Sequence, residues 1–227
     1  MSQIPDEWIE QVKQNTRVYY GHASHGAQLT GGLDRISDRD SFYAFAEGYS
    51  LPQVPNTLDF LSTYNDPDMF FSEVQGILDA NPSINVAMFA WCGEASWYDI
   101  DLYTSQMEAL EAANPDVTFV YMTGNTQEGF DSGYERYLFN QALRQYAREH
   151  DKVLFDFADL DVWYGDEYTP DVYDYDDYGR KPLVTDIPLE HPQWHGDDWG
   201  HTTWESCENK AKAVWWMLAK ITGWNGE

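Results

Sequence analysis

Ser24 stands in Val18-Tyr-Tyr-Gly-His-Ala-Ser-His-Gly26, where three apolar or aromatic residues run straight into a Gly/His/Ser cluster. That pattern predicts a short buried strand ending in a functional loop. Ligands of open α/β sheets sit outside the carboxyl ends of the strands, so a serine placed there is a candidate nucleophile. A serine in a Gly-rich loop is by itself ordinary turn chemistry, so Ser24 needs partners elsewhere. They stand near the other end of the chain, in Asp197-Asp198-Trp-Gly-His201. Asp-x-x-His spacing lets both side chains lie on one side of a turn. Asp198 can then hold the tautomer of His201 and stabilise its cation while the other ring nitrogen takes the Ser24 proton.

Other groups offer different chemistry. His22 and His25 flank Ser24, placed to contact a substrate or to compete as the base. His22-x-x-His25 and His191-x-x-x-His195, with Asp197 and Asp198, contain ligand types for zinc or a related metal, although Pro192 argues against a helix under the second pair. Carboxylates at Asp156, Asp159, Asp161 and Asp171 to Asp177 are a candidate Ca²⁺ cluster without EF-hand spacing. No other cofactor is expected. Cys92 and Cys207 cannot form a zinc site alone, and they read as two buried thiols in preference to a disulfide.

The elements that must position these groups follow from periodicity. Pro5 to Gln14 predicts a helix, Arg17 to Tyr20 the first strand, and Gly21 to Gly32 a glycine-rich loop. Ser41 to Ala46 predicts a second strand stopped by Gly48, followed by an irregular connection through Pro52, Pro55 and Asn56. Asp66-Pro67 opens a helix with Met69, Phe70, Val74, Ile77 and Leu78 on one face. Ile84 to Trp91 is a near-continuous apolar run, as for a strand buried on both sides. A helix capped by Asp99 or Asp101, a strand at Val117 to Met122, a helix at Tyr134 to His150 and a strand at Lys152 to Phe157 come next. Asp159 to Asp198 reads as a long acidic, aromatic-rich loop, and Thr203 to Trp224 as the closing helix. Strands alternating with helices predict one domain over residues 1–227, a three-layer α/β/α sandwich on a mostly parallel, flavodoxin-like sheet.

Composition narrows the function. Of 227 residues 43% are hydrophobic, with 10 Trp, 16 Tyr and 11 Phe, which argues for a folded core. A formal charge of −26, from 39 acidic and 13 basic residues, leaves no basic patch for nucleic acid and disfavours anionic membranes. No run reaches the length of a membrane-spanning helix. Met1-Ser-Gln-Ile-Pro-Asp-Glu-Trp8 lacks the regions of a signal peptide. A mature secreted or periplasmic form is the expectation, ahead of a cytoplasmic one.

Taken together, these residues resemble the SGNH, or GDSL-type, esterase superfamily, which puts its nucleophile after the first strand and Asp-x-x-His before the last helix. Tyr20-Gly-His-Ala-Ser-His-Gly-Ala-Gln28, Trp91-Cys-Gly93, Tyr121-Met-Thr-Gly124, Leu154-Phe-Asp-Phe-Ala-Asp159 and Trp215-Trp-Met-Leu-Ala219 with Gly223-Trp224 look like a divergent bacterial branch of it. The resemblance implies Ser24, Asp198 and His201 as the triad and the Ser24 and Gly48 N–H groups in the oxyanion hole. The family's Gly-Asp-Ser-Leu block is here His22-Ala-Ser-His25. Its Gly-x-Asn-Asp block is absent, and the corresponding strand ends in Trp91-Cys-Gly-Glu94. Gly93 N–H and Asn125 are the expected substitutes, and an ionised Glu94 would have to turn away from an oxyanion.

The expected activity is that of a serine esterase acting through an acyl-enzyme. Trp91, Trp97, Trp163, Trp194, Trp199 and Trp204 lie in or beside predicted loops, where exposed rings beside carboxylates suit stacking on sugars. An O-acetylated carbohydrate is therefore the expected substrate, with His22, His25, Glu94, Trp91 and Trp199 lining its site. A metal-dependent hydrolase on the His/Asp loops and a non-catalytic carbohydrate-binding protein on the same fold remain alternatives.

Overall fold

The computed structural model describes residues 1, 3–126, 130–171 and 187–226. Its central strand, β1 (Arg17–His22), has Val18, Tyr19 and Tyr20 fully buried. Aromatic and β-branched side chains suit a pleated strand covered on both faces. β1 pairs in parallel with β3 (Leu58–Tyr64) on one side and β4 (Val86–Ala90) on the other, so Tyr20 lies between Ser62 and Met88. β2 (Phe45–Gly48) adds outside β3, while β5 (Thr118–Met122) and β6 (Val153–Phe155) extend the β4 side. The result is a six-stranded parallel sheet of order β2-β3-β1-β4-β5-β6. The chain leaves β1 toward one edge and later returns to build the other, so the switch in strand order falls at β1. In such sheets the crevice at that point is where ligands bind.

Helices α1 (Asp6–Asn15), α2 (Ala27–Arg39) and α7 (Trp204–Ile221) pack together on one face. On the other lie α3 (Pro67–Ala80), α4 (Ile100–Ala113) and α5 (Phe130–Glu149). This is the expected three-layer α/β/α sandwich. Asp66 caps α3 by accepting the Met69 N–H at 2.8 Å. Asp99, the nearer of the two candidates, caps α4 by accepting from Asp101 and Leu102, each at 2.9 Å. No helix among the described residues is long and apolar enough to cross a membrane.

Four expectations need correction. The glycine-rich loop predicted over Gly21 to Gly32 is instead a 3-10 turn, Ser24–Gly26, running into α2. Gly31 and Gly32 imitate a loop signal but are close-packing glycines. A Cβ on Gly32 would collide with the Cys207 carbonyl of α7, and one on Gly31 would lie 2.6 Å from the Trp199 indole. The strand predicted at Ser41 to Ala46 is shifted, with a 3-10 turn at Ser41–Tyr43 and β2 beginning at Phe45. β3 is a strand that the apolar pattern does not reveal, because Asp59 and Ser62 interrupt it. Buried Asp59 is partly compensated, its Oδ2 facing Arg17 Nε at 3.4 Å and accepting the Val54 N–H at 3.1 Å.

The long loop predicted over Asp159 to Asp198 begins within α6 (Phe157–Val162). It continues through two short antiparallel pairs, β7 (Trp163–Tyr164) with β8 (Glu167–Tyr168) and β9 (Pro170–Asp171) with β10 (Ile187–Pro188). Asp161 anchors this region. One carboxylate oxygen takes Lys210 Nζ of α7 at 2.7 Å and the other takes the Thr126 N–H at 3.0 Å, while the Asp161 carbonyl accepts the His191 N–H at 2.8 Å. Lys210 also donates to Ser206 Oγ at 2.6 Å. A fully buried ammonium is tolerable only with such partners, and removing one of a buried pair costs about 3–5 kcal/mol.

Candidate active site

Ser24 lies one residue beyond the end of β1, half-buried at the start of the 3-10 turn. Gly26 makes the turn possible, since a Cβ there would meet His22 Cβ and come within 2.9 Å of Ala90 Cβ. The Tyr20 hydroxyl, coming from within the sheet, donates to the Gly26 carbonyl at 2.9 Å and fixes the turn from below. Across the crevice, the segment after β4 brings Cys92 Sγ to 3.0 Å from Ser24 Oγ and 3.0 Å from His25 Nδ1. Burial pushes the Cys92 thiol up, but hydrogen bonds to His25 and Ser24 and the His25 charge outweigh it and bring the thiol down to about 7; Glu94 opposes them.

The segment with the second set of sequence candidates closes on the same turn. Gln28 Nε2 donates to the Gly200 carbonyl at 2.5 Å, joining positions 172 apart in the chain. Trp199 Nε1 donates to the Ala27 carbonyl at 2.8 Å, and its indole lies over Gly31. Gly200 has φ +56°, and a Cβ on it would stand 3.1 Å from the Ser24 carbonyl oxygen and 2.8 Å from Gln28 Cγ. His201 follows with φ +71°, a left-handed backbone that a non-glycine residue adopts at a cost of about 1–3 kcal/mol. Its ring lies beside that of His25, with centroids 4.8 Å apart.

The candidates thus separate into two groups. Ser24, His25 and Cys92 touch, with the His201 ring tilted against that of His25. Asp198 is turned toward α7, where its Oδ2 accepts the Trp204 N–H at 3.0 Å. Among the described residues no hydrogen bond or ion pair joins Asp198 to His201, or His201 to Ser24.

The expected oxyanion donors are similarly divided. The N–H groups of Ser24 and Gly93 make no hydrogen bond to a described residue. Gly48 ends β2 and lines the pocket described below. Asn125 is buried, and its Oδ1 accepts from Arg136 Nη1 at 2.9 Å. Glu94 is turned aside, accepting the Cys92 N–H at 2.7 Å.

A pocket of about 330 Å³ opens beside the Ser24 turn, over the ends of β2 and β3. Among its lining groups are His22, Glu47, Gly48, Tyr49, Tyr64 and Trp199. Burial lowers His22 below the usual imidazole value, favouring the neutral ring; its bond to the Ala23 carbonyl and the Glu47 charge oppose this. Of the tryptophans expected at the surface, Trp97, Trp163 and Trp199 are exposed. Trp91 and Trp194 are instead buried, because each indole N–H has an internal carbonyl, Met122 O at 2.7 Å and Trp163 O at 2.9 Å. Trp91 therefore belongs to the core and not to the substrate site.

The metal alternatives fare differently from the turn. No group of three His, Cys, Asp or Glu among the described residues is arranged to hold a metal ion. His22 Nδ1 faces the Ala23 carbonyl and His25 Nδ1 faces Cys92. Of the proposed Ca²⁺ carboxylates, Asp156 is paired with Arg144 at 2.7 Å and Asp161 with Lys210. Positions 172–177 of the acidic run lie outside the described residues. Both cysteines are free thiols.

No family model matches the sequence, and no curated protein matches it. Solved structures do. A GDSL-like lipase from Bacteroides thetaiotaomicron superposes with a TM-score of 0.58 at 11% identity, covering 93% of this chain and 92% of that one. An acetylxylan esterase from Geobacillus stearothermophilus superposes with a TM-score of 0.52 at 11% identity, covering 89% and 94%. That esterase was solved as catalytic mutants at a serine, an aspartate and a histidine, the last two three positions apart. The chain has an SGNH/GDSL hydrolase-like fold.

Proposed function

We propose that this protein is a serine esterase that removes a small acyl group, with an O-acetylated carbohydrate as substrate. The observation that carries the reading is the closure of the Trp199–His201 segment on the Ser24 turn. Gly200 packs on the Ser24 carbonyl, so the two ends of the sequence that hold the candidate nucleophile and base meet at the switch point of the sheet. The acetylxylan esterase of the same fold, with its serine, aspartate and histidine mutants, supports the same assignment of roles.

In this reading Ser24 Oγ attacks the ester carbonyl, and His201 takes its proton and returns it to the leaving alcohol. Asp198 orients the imidazolium. The N–H groups of Ser24, Gly48 and Gly93 are the donors to the developing oxyanion, with Asn125 as a further amide. Water then attacks the acyl-enzyme with His201 as base. The mechanism requires the His201 ring to leave His25 and face Ser24 when substrate binds. The sugar would occupy the pocket beside the turn, where exposed Tyr49, Tyr64 and Trp199 offer stacking faces and Glu47 an acceptor for hydroxyls.

The test is intact mass after exposure to a fluorophosphonate, together with turnover of acetylated xylooligosaccharides, for wild type and Ser24→Ala. One adduct on wild type, absent from the folded variant, and loss of turnover are expected. Full turnover by Ser24→Ala would overturn the mechanism. Glycan binding without turnover by wild type would instead identify a non-catalytic binding protein.

A further inference from the structure

We propose that Cys92 is a second nucleophile of this site, a thiolate held by His25, and that its covalent modification by peroxides or soft alkylating electrophiles silences Ser24. The reactivity of Cys92 stands on its own geometry; the silencing rests on the esterase reading of Ser24.

Three observations carry it. Cys92 Sγ is 3.0 Å from His25 Nδ1, within reach for the imidazole to take up the thiol proton. The sulfur is partly exposed in the crevice, whereas the other thiol, Cys207, is fully buried and pushed up to about 11 by that burial. And Ser24 Oγ shares the same sulfur at 3.0 Å, so any group added to Sγ takes the place now filled by the serine hydroxyl. The groups facing Cys92 are His25 and Ser24 from the turn after β1 and Glu94 from its own segment, with the His201 ring beside His25 at 4.8 Å between centroids.

The chemistry balances without another cofactor. With a peroxide as oxidant, the thiolate attacks one oxygen, the O–O bond breaks, and a sulfenic acid forms. Sulfur loses two electrons to the peroxide, and the departing hydroxide takes the proton from the His25 imidazolium to leave as water. With iodoacetamide, the sulfur displaces iodide and forms a thioether. Either product removes the Ser24–Cys92 hydrogen bond and adds bulk beside Oγ.

At pH 7, lowering a thiol from 9.0 to about 7 raises its thiolate fraction roughly fiftyfold, and the lower basicity returns most of that, leaving a gain of several-fold.

The experiment measures iodoacetamide labelling at pH 7 by intact mass and peptide mapping. It compares wild type, His25→Gln and Cys92→Ser, each checked for folding by circular dichroism, with N-acetylcysteine as the reference thiol. The expected result is one label, on Cys92, formed several-fold faster than on the reference and slowed to about the reference rate in His25→Gln. Peroxide followed by a sulfenic-acid probe should mark the same residue. Fluorophosphonate labelling of Ser24, scored against the untreated sample of the same protein, should then be lost in wild type treated with either reagent and unchanged by treatment in Cys92→Ser. Wild-type labelling no faster than the reference would overturn the nucleophile, whether or not His25→Gln folds. Undiminished Ser24 labelling after complete modification of Cys92 would overturn the silencing. If untreated wild type never takes the fluorophosphonate, the esterase reading fails, and the thiol rate still decides the nucleophile.

Discussion

The His25 and His201 rings lie with centroids 4.8 Å apart and planes inclined by 35°, although the residues come from opposite ends of the chain. One imidazole faces a thiol that also holds Ser24. The other sits on a strained backbone at the end of a loop fastened to α2. Two candidate bases thus stand near one serine: His25 is joined to it through Cys92, and His201 reaches it only by turning away from His25.

Alanine at each histidine separates them. With His201 as the base, His201→Ala should lower kcat about 10²–10⁴-fold with little change in KM, while His25→Ala costs less than about tenfold. The reverse order, measured on an acetyl ester, would assign the proton to the His25–Cys92 side.

Gly200→Ala addresses the loop rather than the ring. The added Cβ meets Gln28 Cγ and the Ser24 carbonyl oxygen, and φ +56° is unfavourable to alanine. The strain is about 1–2 kcal/mol, which the loop can relieve by lifting away from the Ser24 turn. The expected outcome is a small drop in Tm with a disproportionate loss of kcat. A loss of stability with unchanged turnover would show that the contact does not position His201.

Tyr64 tests the substrate class. It is 67% exposed at the rim of the pocket, so its removal leaves the core intact. Tyr64→Ala should raise KM for an acetylated xylooligosaccharide several-fold, a stacking contribution of about 1 kcal/mol, and leave 4-nitrophenyl acetate unaffected. Equal effects on both substrates would remove the stacking role. Trp199 is the weaker choice, because its indole also fastens the loop to Ala27 and Gly31.

What the sequence discloses here depends on how simply each feature is encoded. β1 and β4 are legible because burial on both faces demands apolar runs. β3 is hidden because Asp59, with its own cation and backbone donor, sits inside a strand. Helix α2 is hidden behind Gly31 and Gly32, whose absent side chains serve Trp199 and α7, although buried Leu29, Leu33 and Ile36 carry the helical spacing. Ser24 and His201 are visible through strand-end position and the Asp-x-x-His spacing. The Cys92–His25 contact is not, since residues 67 positions apart meet only through the parallel pairing of β1 with β4. A cysteine ending a buried strand was the available signal.

Glu190 supplies a test of stability against pH. Burial, then the charge of Asp161, pushes its carboxyl up from an ordinary 4.5 to about 7, against Lys210 and a hydrogen bond from Thr202. The folded protein therefore holds a proton that the unfolded chain releases between these values. The stability so contributed is complete below pH 4.5 and lost as pH rises through 7, by at most about 3 kcal/mol. Glu190→Gln keeps an acceptor for Thr202 and cannot ionise. Its stability relative to wild type should rise between pH 5 and pH 8, read by urea denaturation across that range. The formal charge of −26 gives both proteins a common pH dependence, which cancels in the difference. A difference that stays flat across the range would place Glu190 ionised throughout and leave the buried Lys210–Asp161 pair to balance it.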